Sequence, residues 1–326
     1  MPLFSIITPS WNRVKSLPKL IASLESQTFK DFEWVLGNDG STDGTKEFVE
    51  SIKDKLPFKL TFINFSLRGG KAKLDNELLN HAKGNFLIWC DSDDYLKDDA
   101  LEFFSNTIAH IKENTKFDAI LAQNLDTNGI SQTFYNQNVD LNNEILAWEQ
   151  FSDQLKGDGT ICINSKCFEN MRFLEVDFLI TESSLLQKVF KDKNFYVSKK
   201  VVKVMDRTQE NSVSFGKKLQ YCRGSAYAIA ETTPKNKFST FTLKKRMNIL
   251  LNFWRYSFHG DISLKDSMQL WDLARSKMSF ALMPVSLLLC LRDLILDKVD
   301  KTHLEFNNNL EKIVITIKHF DQNDSK

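Results

Sequence analysis

The chain has 326 residues, which suits one large domain with an appendage or two domains. Hydrophobic residues make up 42% and charged residues 26%, the balance of a globular protein, and a net charge of +1 excludes a global field that would draw nucleic acid. The five cysteines (Cys90, Cys162, Cys167, Cys222 and Cys290) are odd in number and scattered, which excludes zinc-knuckle spacing and speaks for reduced thiols in a cytoplasmic protein.

The first residues, MPLFSIITPSWNR, lack a basic start and a long apolar stretch, so they read as a strand and not as a signal peptide. Residues 3–8 are that strand. Residues 14–27 carry Leu17, Leu20, Ile21 and Leu24 at helical spacing, with Pro18 close enough to the start to be tolerated. A second strand, 32–36, runs into a turn dense in Gly, Asp and Ser. A helix over 46–53, a third strand over 60–64, and a helix marked by Leu74, Leu78, Leu79 and Ala82 follow. Strands separated by helices of this length imply right-handed crossovers and a mostly parallel sheet. Ligands bind such sheets at the carboxyl ends of the strands.

The fourth strand, 86–90, is a short apolar run that stops in three carboxylates, Asp91, Asp93 and Asp94. Carboxylates crowded at the mouth of a buried strand repel one another unless a cation or hydrogen-bond donors hold them. A hard divalent cation with oxygen ligands, Mg²⁺ or Mn²⁺, is the simplest solution. Two other readings stay open. One is a solvated turn that caps a helix. The other is a calcium loop using Asp91, Asp93, Asp99 and Glu102, against which stands Leu96 where the sharp turn needs Gly.

Beyond Asp94 the residues predict a helix over 100–111, a strand over 117–122, a polar Asn-rich stretch over 124–143, a helix over 145–155 and a strand over 160–164. A helix over 178–190 and a strand over 200–205 follow, and from about Ser214 the chain reads as helices. Leu243, Met247, Leu250, Leu251, Trp254 and Phe258 form one apolar stripe. No segment reaches about 18 apolar residues. The nearest, 278–291, is short and holds Pro284, so no spanning helix is expected.

Four ordered motifs now add up. Residues 4–12, FSIITPSWN, resemble the first strand and loop of family 2 glycosyltransferases with the GT-A fold. Residues 38–45, NDGSTDGT, look like that family's DDGSTDGT turn with Asn38 in place of the first Asp. Gly69-Gly70-Lys71 followed by Asn76 is similar to a GGKH…N variant, and residues 82–94 resemble the A-x-G-x-hydrophobic-DSDD signature. The likeness covers about residues 3–101, loosens to about Ser214, and is faint beyond.

The resemblance implies an α/β GT-A domain over 1–214, with a Rossmann-like, mostly parallel sheet. Residues 1–100 would be its nucleotide-binding half and 101–214 its acceptor half. A mainly helical region over 215–326 follows. It implies a UDP-sugar donor and a glycan or lipid-linked glycan acceptor in bacterial surface-polysaccharide assembly, with no nucleic acid involved. Pro9, Trp11, Asp39, Arg68, Lys71, Asp91 and Ser92 would hold the donor. Trp11 offers the base a flat surface, Asp39 an acceptor for its N3–H, and Arg68 and Lys71 charge-assisted bonds to the diphosphate. Asp93, with Asp91, would meet Mg²⁺ or Mn²⁺, and Asp94 would face the donor sugar. The plainer readings are a core aromatic for Trp11, turn chemistry for Asp39 and exposed loop charges for Arg68 and Lys71.

Inverting transfer also needs a base for the acceptor hydroxyl, which the family takes from a Glu-Asp pair at a helix start. Aligning Leu185 and Val189 with that helix puts Glu182 on the base position. A shift by one puts Ser183 there, which cannot act as a base. Asp177 is the fallback. Asp158, in the turn 157–160, either touches donor or acceptor or is solvated. The missing pair motivates a rival reading, a catalytically silent nucleotide-binding subunit that serves a partner transferase. A nucleotidyltransferase is a third. In the C-terminal region Lys244, Lys245, Arg246 and Arg255 lie beside the apolar stripe. That suits a peripheral contact through 240–295 with the cytoplasmic face of a membrane, or a packed helix with its charges in water. The five histidines are isolated and none is assigned to a metal.

Overall fold

The computed structural model describes residues 1–112, 117–135, 144–152, 155–176, 178–180, 182–206, 219, 221–299 and 313–320. The chain divides into two compact units. The first is Met1–Arg172, Val189–Ser212 and Asn309–Lys326; the second is Phe173–Lys188 and Val213–Asn308.

The first unit opens as the hydrophobic pattern predicts. β1 (Phe4–Ser10), α1 (Leu17–Glu25), β2 (Phe32–Asp39), α2 (Thr45–Ile52), β3 (Lys59–Phe65), α3 (Lys71–His81) and β4 (Phe86–Trp89) alternate strand and helix. β5 (Tyr95–Leu96), α4 (Ala100–Lys112), β6 (Ala119–Asp126), β7 (Thr133–Tyr135), β8 (Glu144–Ala147), α5 (Trp148–Phe151), β9 (Leu155–Gly157), β10 (Thr160–Asn164), α6 (Ser183–Phe190) and β11 (Asn194–Met205) follow. β3, β2, β1 and β4 are parallel neighbours. Past β4 the sheet turns mixed: β10 lies antiparallel between β4 and β6, and β11 runs parallel to β6. β1 and β2 are buried along their whole length. This is why Ile6-Ile7 and Trp34-Val35-Leu36 place apolar side chains on both faces instead of alternating strictly with polar ones. Phe4, Ile6, Trp34, Leu36, Phe62, Ile88 and Phe104 belong to the core they share with α1 and α4.

The structure departs from the sequence reading at three places. The helix expected over 145–155 is instead β8, antiparallel on β11, and a single helical turn. Pairing on an open strand outweighs local helical spacing, and Trp148 then packs on Phe190 and Phe195. Within the polar stretch 124–143, β7 pairs with β9; residues 136–143 lie outside the described residues. Finally, β12 (Ile315–Phe320) is a strand inside the region 215–326 that was expected to be helical. It pairs antiparallel with β3 from Ile315↔Phe65 to Phe320↔Leu60. Its alternation of Ile315 and Ile317 with Thr316 and Lys318 suits a pleated surface. Lys318 Nζ reaches Glu50 Oε1 at 2.6 Å.

The second unit is helical: α7 (Cys222–Thr232), α8 (Lys235–Thr240), α9 (Leu243–His259), α10 (Leu264–Leu270) and α11 (Lys277–Ile295). Side-chain hydroxyls of Thr242, Ser263 and Ser276 accept from backbone N–H groups in the first turns of α9, α10 and α11. Leu250, Phe253 and Trp254 of α9 are fully buried, so the apolar stripe faces a core over most of its length; Leu243 and Met247 at its start stay exposed. α11 runs unbroken through Pro284 for 19 residues. By length and composition alone it is long and apolar enough to cross a membrane, which corrects the shorter segment read from the sequence.

Candidate active site

The site grows from the middle of the parallel block. β1 lies between β2 and β4. Its ladder to β2 continues to Ser10↔Asn38, but its ladder to β4 stops at Ile7↔Trp89. Pro9, buried in β1, has no N–H to give and stands beyond the last β4 pair, where none is required. The strand order reverses here, at the position where open α/β sheets take ligands. Ser10, the last residue of β1, is buried with a hydroxyl that has no hydrogen-bond partner among the described residues.

The loops after β1 and β2 are stitched together. Asn12 N donates to Ser41 Oγ at 2.8 Å, and Asn12 Oδ1 accepts from Thr42 N at 2.9 Å. Arg13 N donates to Thr45 Oγ1 at 3.1 Å and Val14 N to Asp43 Oδ2 at 3.0 Å. Asn38, which replaces an Asp of the motif, donates through Nδ2 to Asn64 Oδ1 at 2.8 Å while its Oδ1 accepts from Ser41 Oγ. A carboxylate could not make the first of these bonds. Gly40 turns the chain at φ +63°, and a Cβ there would lie 2.4 Å from the Leu67 carbonyl carbon.

Asp39 is buried at the end of β2. Its Oδ1 accepts from Gly69 N at 2.6 Å and Gly70 N at 3.1 Å, so it fixes the glycine turn that opens α3. Burial pushes its carboxyl above the usual range, and the two amides and Arg68 only partly offset that. Arg68 Nε stands 4.0 Å from Asp39 Oδ2, and its guanidinium lies over the half-buried Trp11 ring, 3.6 Å from the centroid. Trp11, Arg68 and Asp39 therefore form one cluster, and Trp11 is not a core residue.

The acidic corner sits beside it. Asp91–Asp94 is a tight turn closed by Asp94 N donating to Asp91 O at 3.0 Å. It leads into β5, with α4 starting only at Ala100, so it caps no helix. The calcium-loop alternative fails too: Asp99 pairs with Lys200 at 2.5 Å and Glu102 accepts from Thr28 Oγ1 at 3.0 Å. Three cations face the three carboxylates. Arg13 Nη2 is 3.5 Å from Asp93 Oδ2, Lys71 Nζ is 3.9 Å from Asp91 Oδ1, and Lys203 Nζ is 2.7 Å from Asp94 Oδ2. Asp94 Oδ1 also accepts from Asp206 N at 3.2 Å. Lys71 is shared with buried Asp75 at 3.1 Å, which in turn accepts from Trp89 Nε1 at 3.4 Å.

The balance differs among the three. Enclosure raises the Asp91 carboxyl, but Lys71, Lys203 and Arg13 outweigh it and leave it below the usual carboxylate range. Asp93 goes the other way, to about 6, because burial, Asp91 and Asp94 together exceed Arg13. Asp94 is likewise raised by burial against the pull of Lys203. Burial disfavours the Lys203 charge, yet Asp94 and Asp91 more than restore it. Asp93 is thus a carboxylate short of positive charge at the mouth of the corner. No group of three or more His, Cys, Asp or Glu that could hold a metal exists among the described residues. Two carboxylates with room for further oxygens suit Mg²⁺ or Mn²⁺, which complete their shell with phosphate oxygens and water rather than a protein cage.

Among the residues singled out in the sequence, Pro9, Trp11, Asp39, Arg68, Asp91, Ser92, Asp93 and Asp94 stand at the ends of β1 to β4 or in the loops that follow, and Lys71 is the first residue of α3. Ser92 is buried within the turn. Glu182 belongs to the second unit; it directly precedes α6, its carbonyl accepting from Leu185 N and Leu186 N at 3.1 and 3.0 Å. Asp177 lies outside the described residues, and Asp158 is exposed with its carbonyl held by Asn124 and Thr133. Sequence reasoning missed Arg13, Asp75 and Lys203. The signal for Lys203 was present: flanked by Val201, Val202 and Val204, it sits in a strand buried on both faces, where a lysine needs an acid.

A family model described as glycosyl transferase family 2 matches residues 5–172, just over half of the chain. The chain belongs to glycosyl transferase family 2. This family 2 transferase is 27% identical over 223 residues to the GalNAc(5)-diNAcBac-PP-undecaprenol beta-1,3-glucosyltransferase of Campylobacter jejuni, covering 66% of its own length and 68% of that protein. It is 38% identical over 104 residues to poly(ribitol-phosphate) beta-N-acetylglucosaminyltransferase TarS of Staphylococcus aureus, which is 31% of this chain and only 18% of TarS. It is 32% identical over 101 residues to the putative teichuronic acid biosynthesis glycosyltransferase TuaG of Bacillus subtilis, 31% of this chain and 40% of that one. Among solved structures, TarS residues 1–349 in complex with UDP-GlcNAc superposes with a TM-score of 0.56 at 19% identity, over 98% of this chain and 99% of that one. That likeness carries the fold: an α/β transferase domain with a helical region.

Proposed function

We propose that this family 2 enzyme acts in the cytoplasm and transfers a sugar from a UDP-sugar to a glycan or lipid-linked glycan acceptor with inversion, assisted by Mg²⁺ or Mn²⁺. The observation that carries the reading is the gathering of Trp11, Asp39, Arg68, Lys71 and Asp91–Asp94 at the ends of four parallel strands. The lipid-linked acceptor named for the Campylobacter relative and the UDP-GlcNAc bound by TarS support the substrate classes.

In this proposal the uracil ring replaces the Arg68 guanidinium on Trp11, releasing that cation toward the diphosphate. Asp39 accepts from the base with the capacity its two glycine amides leave. Asp93 and Asp91 would hold the metal, which neutralises charge on the departing diphosphate. Among the described residues Arg13 is the cation that pairs with Asp93, and a bound metal would add the positive charge this carboxylate is short of. Asp94 is fixed by Lys203 and Asp206 and presents the turn toward the donor sugar. Glu182 takes the proton of the acceptor hydroxyl; that oxygen bonds to C1 as the C1–O bond to phosphate breaks and UDP leaves with the electron pair.

Calorimetry with UDP tests the donor half. Affinity should fall by about tenfold or more when Mn²⁺ is withheld or when Asp93→Ala is made; no binding of UDP at all overturns the proposal. The absence of a Glu-Asp pair at residues 180–185 favours one rival, a nucleotide-binding subunit without turnover. Glu182→Gln should abolish transfer and leave UDP binding intact. Wild-type protein that binds UDP but never transfers or hydrolyses a nucleotide sugar would support that rival.

A further inference from the structure

α11 is inverted relative to a helix on a water-facing surface. Its buried line is Ser279, Ser286, Cys290 and Asp293, which lie on one face. This polar line packs along α9. Ser279 Oγ accepts from Trp254 Nε1 at 2.8 Å, and Ser286 Oγ donates to the Leu251 carbonyl at 3.1 Å. The Cys290 thiol donates to the Arg255 carbonyl at 3.6 Å. Asp293, wholly buried, receives Arg255 Nε at 2.5 Å and stands 3.3 Å from His259 Nε2. The opposite face carries Phe280, Leu287, Leu288, Leu291, Leu294 and Ile295, between 43% and 83% exposed. Single exposed apolar residues are ordinary, but a continuous apolar face over five turns is not, and it marks a surface that something covers.

The charges around the face say what. Arg275 and Lys277 precede it, Arg292 stands in its last turn 3.4 Å from Asp293 Oδ1, and Lys298 follows it; with exposed Asp272 and Asp297 counted, basic groups still outnumber acidic ones at both ends. Exposed Lys244 and Lys245 stand beside exposed Leu243 and Met247 at the start of α9. A layer of anionic headgroups satisfies all of these at once. A second copy of the same face would set basic ends against basic ends in either direction. Spanning is disfavoured although the length suffices. The inner line of α11 is tied through Asp293 to Arg255 of α9, a helix that also carries Lys244, Lys245 and Arg246. A helix with one wet or protein-bound polar face and one apolar face lies in the interfacial plane.

We propose that the outer face of α11 docks the second unit onto an anionic lipid surface, the helix lying flat with its apolar side among the acyl chains and the flanking basic residues at the headgroups. The inference rests on the second unit alone and does not require the transferase reading.

Flotation of the full chain with vesicles of phosphatidylglycerol and phosphatidylethanolamine tests it. Wild type should float. Leu288→Glu with Leu291→Glu, both at well-exposed positions, should remain in the dense fraction with vesicle affinity lowered by more than about tenfold. Its melting midpoint and UDP binding should stay as in wild type, which separates this failure from failure of the donor site. Wild type that does not float, or a double variant that floats equally, overturns the proposal. So does a wild-type dimer in light scattering that the double variant dissolves without any vesicle binding, since the cover is then a second copy. If the double variant does not fold, Ile295→Cys carrying an environment-sensitive dye replaces it; Ile295 is 83% exposed. A blue shift on adding the vesicles supports the docking, and an unchanged emission overturns it.

Discussion

Both units have an apolar core, and each departs from the ordinary rule of burial in its own way. In the first, the interior is apolar and charge is gathered at the strand ends, where Asp93, Asp94 and Lys203 are nearly closed off from water. In the second, the packed side of α11 is polar and its outward side is leucine-rich. Each inversion of the ordinary rule costs stability locally, and each points outward to a different kind of solvent. Buried charge prepares a place for a charged ligand, and exposed hydrocarbon prepares a place for an apolar medium. Glycosyl transferase family 2 membership accounts for the first pattern. It does not dictate the second.

The comparison can be broken at several points. The largest effect is expected at Lys203. Lys203→Met leaves Asp94 buried against no cation and should cost about 3–5 kcal/mol in denaturant unfolding. Adding Asp94→Asn should recover part of that loss. A single variant as stable as wild type would show that the corner is open to water and that charge is not buried there. Next comes Gly84, whose amide donates to Ser5 Oγ at 2.7 Å and whose added Cβ would stand 2.4 Å from Ser5 N. Gly84→Ala should lower stability by about 1–3 kcal/mol by prising β4 from β1, read as a lower melting midpoint.

Acid probes the second unit. Burial raises the Asp293 carboxyl, but hydrogen bonds from Arg255 and His259 outweigh it and hold it below its usual 3.8. A group depressed in the folded state stabilises fully above its unfolded value, and that contribution is lost as pH falls through the folded value beneath 3.8. Fluorescence of Trp254 and Trp271, both in that unit's core, should report loosening below that pH, and Asp293→Asn should flatten the dependence. The smallest effect on folding is at Arg68. Arg68→Ala should change stability by less than about 1 kcal/mol, since Asp39 keeps the Gly69 and Gly70 amides, yet weaken UDP binding by about tenfold.

Much of the first unit was legible because its early strands are rich in apolar and β-branched residues and its helices have clean apolar faces; Leu17, Leu20 and Leu24 suffice to place α1. The site was legible because the residues that form it follow strand ends in sequence. What stayed hidden depends on partners far along the chain. The valines around Lys203 say that it needs an acid, but which acid is decided only when β11 pairs with β5 and brings it to Asp94. β5, two residues long, exists only through that pairing. Arg13 stands two residues after Trp11, yet nothing local says that its side chain turns toward Asp93, eighty residues on. The inversion of α11 was hidden for a simpler reason. Ser, Cys and Asp among leucines look like the outer face of a helix until the contacts with α9 show them inside.

The last strand has a consequence for dissecting the molecule. β12 lies along the outer side of β3 and is delivered only after the helices α7 to α11 have been made. The helical unit is therefore an insertion between two parts of the sheet-bearing one, not a tail behind it. Cutting the gene after residue 214 to obtain a free catalytic domain would strip β3 of its neighbour and leave a row of unpaired amides and carbonyls, the arrangement that recruits other chains and forms insoluble assemblies. A shortened version that stays in solution would have to excise the loop of helices and rejoin the chain ahead of residue 313, so that the missing edge is supplied from within.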